Sequence, residues 1–287
     1  MAKTRELRRR IRSVEKTRQI TKTMEMVATS RLKRTQDRVV AARPYAAALA
    51  DLLASLYDPA YEERFPLLRH PTGPPQRVAL VLITSNRGLC GSFNANLIRM
   101  GRERLAELEA PGVPVELHGV GRKGIGYFKY VGRSLETQRQ DIGDRPTPGH
   151  AAEIVEPLMK RFAAGELDAV EVIFARFNNP LSTPPTLLTL LPIARPQHKK
   201  VLNYLLKPSP DVILERTLPL YVQNGMYRAL VETAASENGA RRTAMKNATD
   251  SAGEMLDVLR RNYNRARQAQ ITQELAEIVG GAEALKG

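Results

Sequence analysis

The sequence predicts an α/β fold joined to a long coiled coil: N- and C-terminal helices pair antiparallel, and a small α/β domain is inserted between them. Three observations predict it. Both ends of the 287-residue chain are rich in Ala, Leu, Arg and Glu and hold an apolar period of seven, whereas the middle alternates short β-rich and helical stretches. Pro59, Pro66, Pro71, Gly73, Pro74 and Pro75 separate the first helix from that middle. The resulting segments are a first helix over 1–58, a linker over 59–76, an α/β domain over 77–207 and a last helix over 208–287.

From Thr4 to Leu56 there is no Gly, and Pro44 is the only Pro. Leu7, Ile11, Val14, Ala28, Leu32, Val39, Ala42, Ala46, Leu49, Leu53 and Leu56 follow alternating steps of three and four, the mark of a coiled-coil seam. The seam is interrupted where Arg18, Thr21 and Glu25 stand at its positions. Ile20, Met24 and Val27 form an apolar track displaced around the helix there, which predicts that the helix turns to a different partner. The last helix is expected over Asp211 to Val279, kinked near Pro219 and stopped at Gly280-Gly281. Its seam reads Tyr227, Val231, Ala234, Met245, Ala248, Ala252, Met255, Leu259, Ala266, Ala269 and Ala276. At 1.5 Å per residue the two helices would run to about 80 and 100 Å, so part of the longer one should lack a mate. Between them, Arg77–Thr84, Val113–His118, Ala169–Phe177 and Thr186–Leu191 read as strands, and Asn94–Leu108 and Ala151–Ala163 as helices. The alternation predicts a small Rossmann-like sheet, parallel in part.

Charge narrows the function. Residues 1–43 hold fourteen Lys and Arg against four Asp and Glu, an excess of ten within a formal net charge of +14. Nucleic acid, anionic lipid or an acidic protein surface would each answer that excess. The absence of Trp and an aromatic content of 5% argue against base-stacking platforms. The longest apolar run, Val78–Ile83, is too short to cross a bilayer, and the start lacks the apolar core of a secretory signal. Glu6 and Glu15 weaken an organelle transit reading. A single cysteine, Cys90, permits no intrachain disulfide.

Catalytic chemistry is thin. Gly119-Val120-Gly121-Arg122-Lys123-Gly124 matches G-x-G-x-x-G, but it follows the second strand of its domain, and Glu136 and Asp144 are poorly placed as the ribose acid. Tight turning and close packing explain those glycines better. His70, His118, His150 and His198 have no metal-ligand spacing, and Cys90 has no His near it in sequence.

Three stretches then resemble one family. MAKTRELRRRIRSVEKTRQITKTMEMVATSRLKRTQ at the start, TSNRGLCGSFNAN after the first strand and ARQAQITQELAEIVGGAEAL at the end are similar to segments of the gamma subunit of F-type ATP synthases. The last contains Ile271-Thr272-x-Glu274-x-x-Glu277-x-x-x-Gly281-Ala282-x-Ala284, the family's signature. Departures are Asn86, where the family usually has Asp, and Lys207 after Tyr204, where an acid is common. The resemblance implies a non-catalytic central-stalk rotor that carries torque between a membrane ring of c subunits and a ring of alpha and beta subunits, with epsilon alongside and catalysis on beta. It implies no cofactor, no specific nucleic acid, and a peripheral place on the cytoplasmic face of a bacterial inner membrane, reached only through the complex. Carried over by position, contacts with alpha and beta fall on Lys22, Met24, Arg241, Gln268 and Thr272, and the c-ring and epsilon contact on Tyr204 and Lys207. Ile271, Leu275, Ile278 and Val279, with Ala276 and Ala282, would form a greasy bearing at the tip. The competing readings are a basic coiled-coil protein associated with DNA, whose binding would fall steeply with salt, and a nucleotide-binding enzyme built on Gly119–Gly124.

Overall fold

A computed structural model describes residues 2–71, 73–196, 207 and 209–284. The chain divides into two compact units: Met1–Val27 with Arg242–Gly287, and Ala28–Arg241. Each takes part of helix α1 (Ala2–Leu56) and part of helix α6 (Pro210–Ala284).

In the first unit the two helices run antiparallel. Thr4 meets Gln270 at 2.9 Å, the Arg8 guanidinium donates to the Tyr263 hydroxyl at 2.6 Å, Glu15 pairs with Arg260 at 3.5 Å, and the hydroxyls of Thr21 and Thr249 meet at 2.8 Å. The seam therefore does not leave its mate at Arg18–Glu25. Thr21 and Glu25 stay half-buried on the same face as Leu7, Ile11 and Val14, while Ile20 and Val27 of the displaced track are 60% and 47% exposed. Polar seam positions are tolerated because they hydrogen-bond across the pair or reach its edge. On α6 the inward residues are Met245, Thr249, Ala252, Leu256, Leu259, Tyr263, Ala266 and Gln270. The expected seam slips here: Met255 is 54% exposed while Leu256 beside it is 1% exposed, and Ala269 and Ala276 face outward. Thr249, Tyr263 and Gln270 hold seam positions that an apolar count passes over. Gly280 and Gly281 do not stop the helix; α6 continues to Ala284, and neither glycine takes a positive φ.

The second unit is built on a five-stranded sheet. Its strands are β1 (Val78–Ile83), β2 (Val115–Val120), β3 (Thr137–Arg139), β4 (Ala169–Ala175) and β5 (Pro185–Leu191), in the order β3-β2-β1-β4-β5. The first four are parallel and β5 is antiparallel to β4. β1 and β4 are buried along their whole length, as the uninterrupted apolar run of β1 requires of a strand covered on both faces. Glu171, inside β4, is buried on a fork from Arg104, with bonds of 2.8 and 2.6 Å. Helices α3 (Phe93–Glu109) and α4 (Arg122–Tyr130) cover one face through Leu97, Leu105 and Phe128. On the other face lie α5 (Pro148–Ala163), the end of α1 through Leu53 and Leu56, and the start of α6 from Leu214 to Leu230. Thr147 and His150 form a capping box that starts α5, with Pro148 at its first position.

The Pro-rich stretch after α1 holds a short α2 (Tyr61–Arg64) and a 3-10 turn at Pro66–Leu68, which buries Leu68 in the core. One 18-residue window of α1 reaches a mean hydropathy of 1.4, long and apolar enough by composition to cross a membrane, with 22% of it buried. No long unbroken apolar run marks this window, because charged residues interrupt its Ala- and Leu-rich sequence.

Candidate functional site

The loop after β1 is organised by side chains that reach back to the chain itself. Thr84 Oγ1 accepts from Gly124 N at 2.9 Å, Ser85 O accepts from Lys123 N at 3.1 Å, and Asn86 Oδ1 accepts from Arg122 N at 2.9 Å. The first N–H groups of α4 are thereby all taken. A pyrophosphate held in the G-x-G-x-x-G manner needs those groups free, so the motif is a packing device. Gly121 confirms it: with φ +94° its backbone passes so close to β1 that an added Cβ would lie 2.0 Å from Thr84 O. The strand before it is also displaced from expectation, since β2 runs to Val120 and takes Gly119 into the sheet.

Asn86 shows why an amide stands here. Its Nδ2 donates to the carbonyls of Gln140 and Ile142, both at 2.9 Å, which a carboxylate cannot do. Cys90 is buried, its Sγ accepting from Asn94 Nδ2 at 3.1 Å, and burial pushes its thiol pKa up, away from a reactive thiolate. Leu89, at the tip, takes φ +63° and is 61% exposed.

Arg241 closes over this loop. It is 7% exposed, pairs with Glu237 at 2.6 Å and donates to Gly88 O at 3.2 Å, with Arg87 O at 3.4 Å. It is a buried anchor between α6 and the loop rather than a solvated charge. Burial pushes the Glu237 carboxyl up, and the neighbouring Arg241 opposes that shift.

The other expected contact residues of the coiled coil lie in the first unit. Lys22 is exposed and pairs with Glu25 at 3.4 Å, Met24 is half-buried, and Gln268 and Thr272 are exposed, with Thr272 Oγ1 bonded to Gln268 O at 3.0 Å. Beyond Gln270 every side chain from Ile271 to Ala282 is exposed. Ile271, Leu275, Ile278 and Val279 are 47%, 58%, 67% and 59% exposed and recur at helical spacing. Gln270–Glu274 and Gln273–Glu277 hydrogen bonds, at 2.8 and 2.9 Å, line the flanks. Three further apolar residues of this unit, Met26, Met255 and Val258, also face outward at 57%, 54% and 47%. Met26 and Val258 sit off the expected seam, which was the signal available for them, whereas Met255 was expected within it. Lys207 is exposed, and Tyr204 lies outside the described residues. Among the described residues no group of three or more His, Cys, Asp or Glu is placed to hold a metal ion.

The sequence profile of the family described as ATP synthase matches residues 3–285. The ATP synthase gamma chain of Gemmatimonas aurantiaca is 59% identical over 291 residues, covering 100% of both chains. Those of Moorella thermoacetica and Leptospira biflexa are 45% and 43% identical, covering 100% and 99% of this chain and all of each relative. Among solved structures, a chain of the Tetrahymena thermophila mitochondrial ATP synthase central stalk and c-ring matches with a TM-score of 0.61 and 27% identity, over 80% of this chain and 99% of that one. A chain of the Euglena gracilis mitochondrial ATP synthase, at TM-score 0.71 and 20% identity over 99% and 95%, shares the fold. Matched from end to end by gamma chains and built as a sheet domain between two long helices, this chain belongs to the ATP synthase gamma-chain family.

Proposed function

We propose that the chain is the rotor of an ATP synthase central stalk, carrying torque between a c-subunit ring in the membrane and a ring of alpha and beta subunits, while catalysis stays on beta. The observation that carries this reading is the stripe Ile271, Leu275, Ile278 and Val279, apolar at helical spacing and without a mate among the described residues. A stripe with no fixed polar partners can slide against a surrounding collar, which is what a bearing needs. Residues 1–58 and 208–287 supply the shaft and 77–207 the domain that stands toward the c-ring and epsilon, joined through 59–76.

Lys22, Met24, Gln268 and Thr272 are the proposed contacts with alpha and beta, being exposed or half-buried on the outer surface of the coiled coil. Arg241, being buried, would act through the loop it holds, whose exposed tip is Leu89. Lys207 and Tyr204 remain the proposed contact with the c-ring and epsilon. The chain would then sit at the cytoplasmic face of the bacterial inner membrane through its complex alone, with no cofactor and no specific nucleic acid.

The test replaces Leu275 and Ile278 by Glu and reconstitutes the variant with alpha and beta subunits. Expected are an unchanged unfolding transition of the isolated chain and a marked loss of rotation-coupled ATPase activity. Loss of stability in the isolated chain would make the stripe its own core, and undiminished coupling would remove the bearing.

A further inference from the structure

The carboxyl end of β1, the turn after β2 and the loop before α5 surround a crevice of about 310 Å³. Thr233, whose hydroxyl accepts from Ala175 N at the end of β4, closes its far side. In a sheet ordered β3-β2-β1-β4-β5 the helical cover changes faces between β1 and β4, and doubly wound folds bind ligands at that switch. The volume is within the range of small-molecule sites.

The walls are basic. Arg31 and Arg87 converge on one carboxylate oxygen of Asp144, at 2.6 and 3.1 Å, and Arg38 donates to the Asp144 carbonyl at 3.2 Å. Arg122 lines the same space, and among the described residues its side chain makes no hydrogen bond or ion pair. The second acid on the wall, Glu237, is already committed to Arg241. Asp144 thus stands where an external anion would, and the crevice keeps more guanidinium donors than its own carboxylates use. Because the first N–H groups of α4 are taken, a ligand here must be held by side chains. Planar guanidinium forks fit a tetrahedral dianion with paired donors.

We propose that this crevice binds a phosphoryl group, as free phosphate or as the terminal phosphates of a nucleotide, with Arg122 and Arg87 as its charged ligands and Asp144 as the internal anion it displaces. The proposal is independent of the rotor reading. Binding would tie α1, the β1 loop, α4 and the α5 loop together.

The test titrates the isolated full chain with inorganic phosphate and with Mg-ADP at constant ionic strength, followed by calorimetry. Wild type should bind at least one of them saturably. Arg122→Gln should weaken binding about tenfold or more through loss of charge-assisted hydrogen bonds. Asp144→Asn should tighten it by removing the internal competitor. Equal or tighter binding of phosphate assigns the site to the free anion, and tighter binding of Mg-ADP assigns it to the nucleotide. The proposal is overturned if neither binds saturably, or if Arg122→Gln binds as wild type does, which would place the anion on the basic surface of α1.

Discussion

Replacing Gly121 by Ala tests whether the Gly-rich turn is a packing device. A side chain at φ +94° and ψ 137° occupies a region that costs about 1–3 kcal/mol outside Gly. Its Cβ would lie 2.0 Å from Thr84 O, so β1 and the turn must separate. That separation strains the Thr84 N to Val120 O bond of 2.8 Å and the Gly124 N to Thr84 Oγ1 bond of 2.9 Å, each contributing about 1 kcal/mol. The whole effect is about 4 kcal/mol, close to a thousandfold in the opening equilibrium of the sheet. Gly126, five residues on, provides the opposite case. It is exposed within α4 and a Cβ there meets nothing within 4 Å, so Gly126→Ala should stabilise by about 0.5–1 kcal/mol. Native-state hydrogen exchange at the β1 and β2 amides measures both. A Gly121→Ala variant within 1 kcal/mol of wild type, or the same sign at both sites, would refute the close-approach argument.

Deleting residues 271–287 should leave hydrogen exchange in the sheet unchanged, because the described side chains beyond Gln270 bury nothing; faster exchange throughout β1 would contradict it. Met24→Lys should reduce coupled proton transport more than ATP hydrolysis in the reconstituted complex, since a new charge on the shaft can lock to acidic loops; equal losses would count against it. Glu62 has its pKa lowered to about 2 from 4.5, chiefly by hydrogen bonds from Arg195. A carboxylate depressed on folding contributes stability that is whole above 4.5 and is lost as pH falls through about 2, so Glu62→Gln should flatten the acid limb of the stability curve in that window. An acid limb as steep as wild type would show that the pair contributes nothing.

The period-seven pattern and the β1 run were legible because each reports burial on a fixed face. β3 was not, since three residues, Thr137–Arg139, are too few to show a pattern and none is buried. α4 was legible only as a possible helix after the Gly-rich motif, because two glycines interrupt it and only the contact with Thr84 explains one of them. Among the site residues carried over by resemblance, Lys22, Gln268 and Thr272 are exposed, whereas Arg241 is buried on Glu237, which its position in the sequence could not reveal. Burial of an arginine depends on which chain segment comes to meet it, and Gly88 is 153 positions away.

The slipped seam carries a consequence for how the shaft is stabilised. From Thr4 to Val27 no side chain of α1 is fully buried, and on the facing stretch of α6 only Met245, Thr249, Ala252 and Leu256 are. Ile20, Met26, Val27, Met255 and Val258, residues of comparable or larger apolar area, point the other way. If self-pairing were the purpose of this unit, exchanging those residues with the polar seam would strengthen it, because burial stabilises by about 25 cal/mol per Å² of apolar surface. The observed arrangement instead mixes Thr, Tyr and Gln contacts with Leu7, Ile11, Val14, Met245 and Leu256 in the seam and leaves Ile20, Met26, Val27, Met255 and Val258 facing outward. An outward apolar set of this kind would be covered by whatever packs around the pair, so a partner that enclosed it would be expected to add to its rigidity.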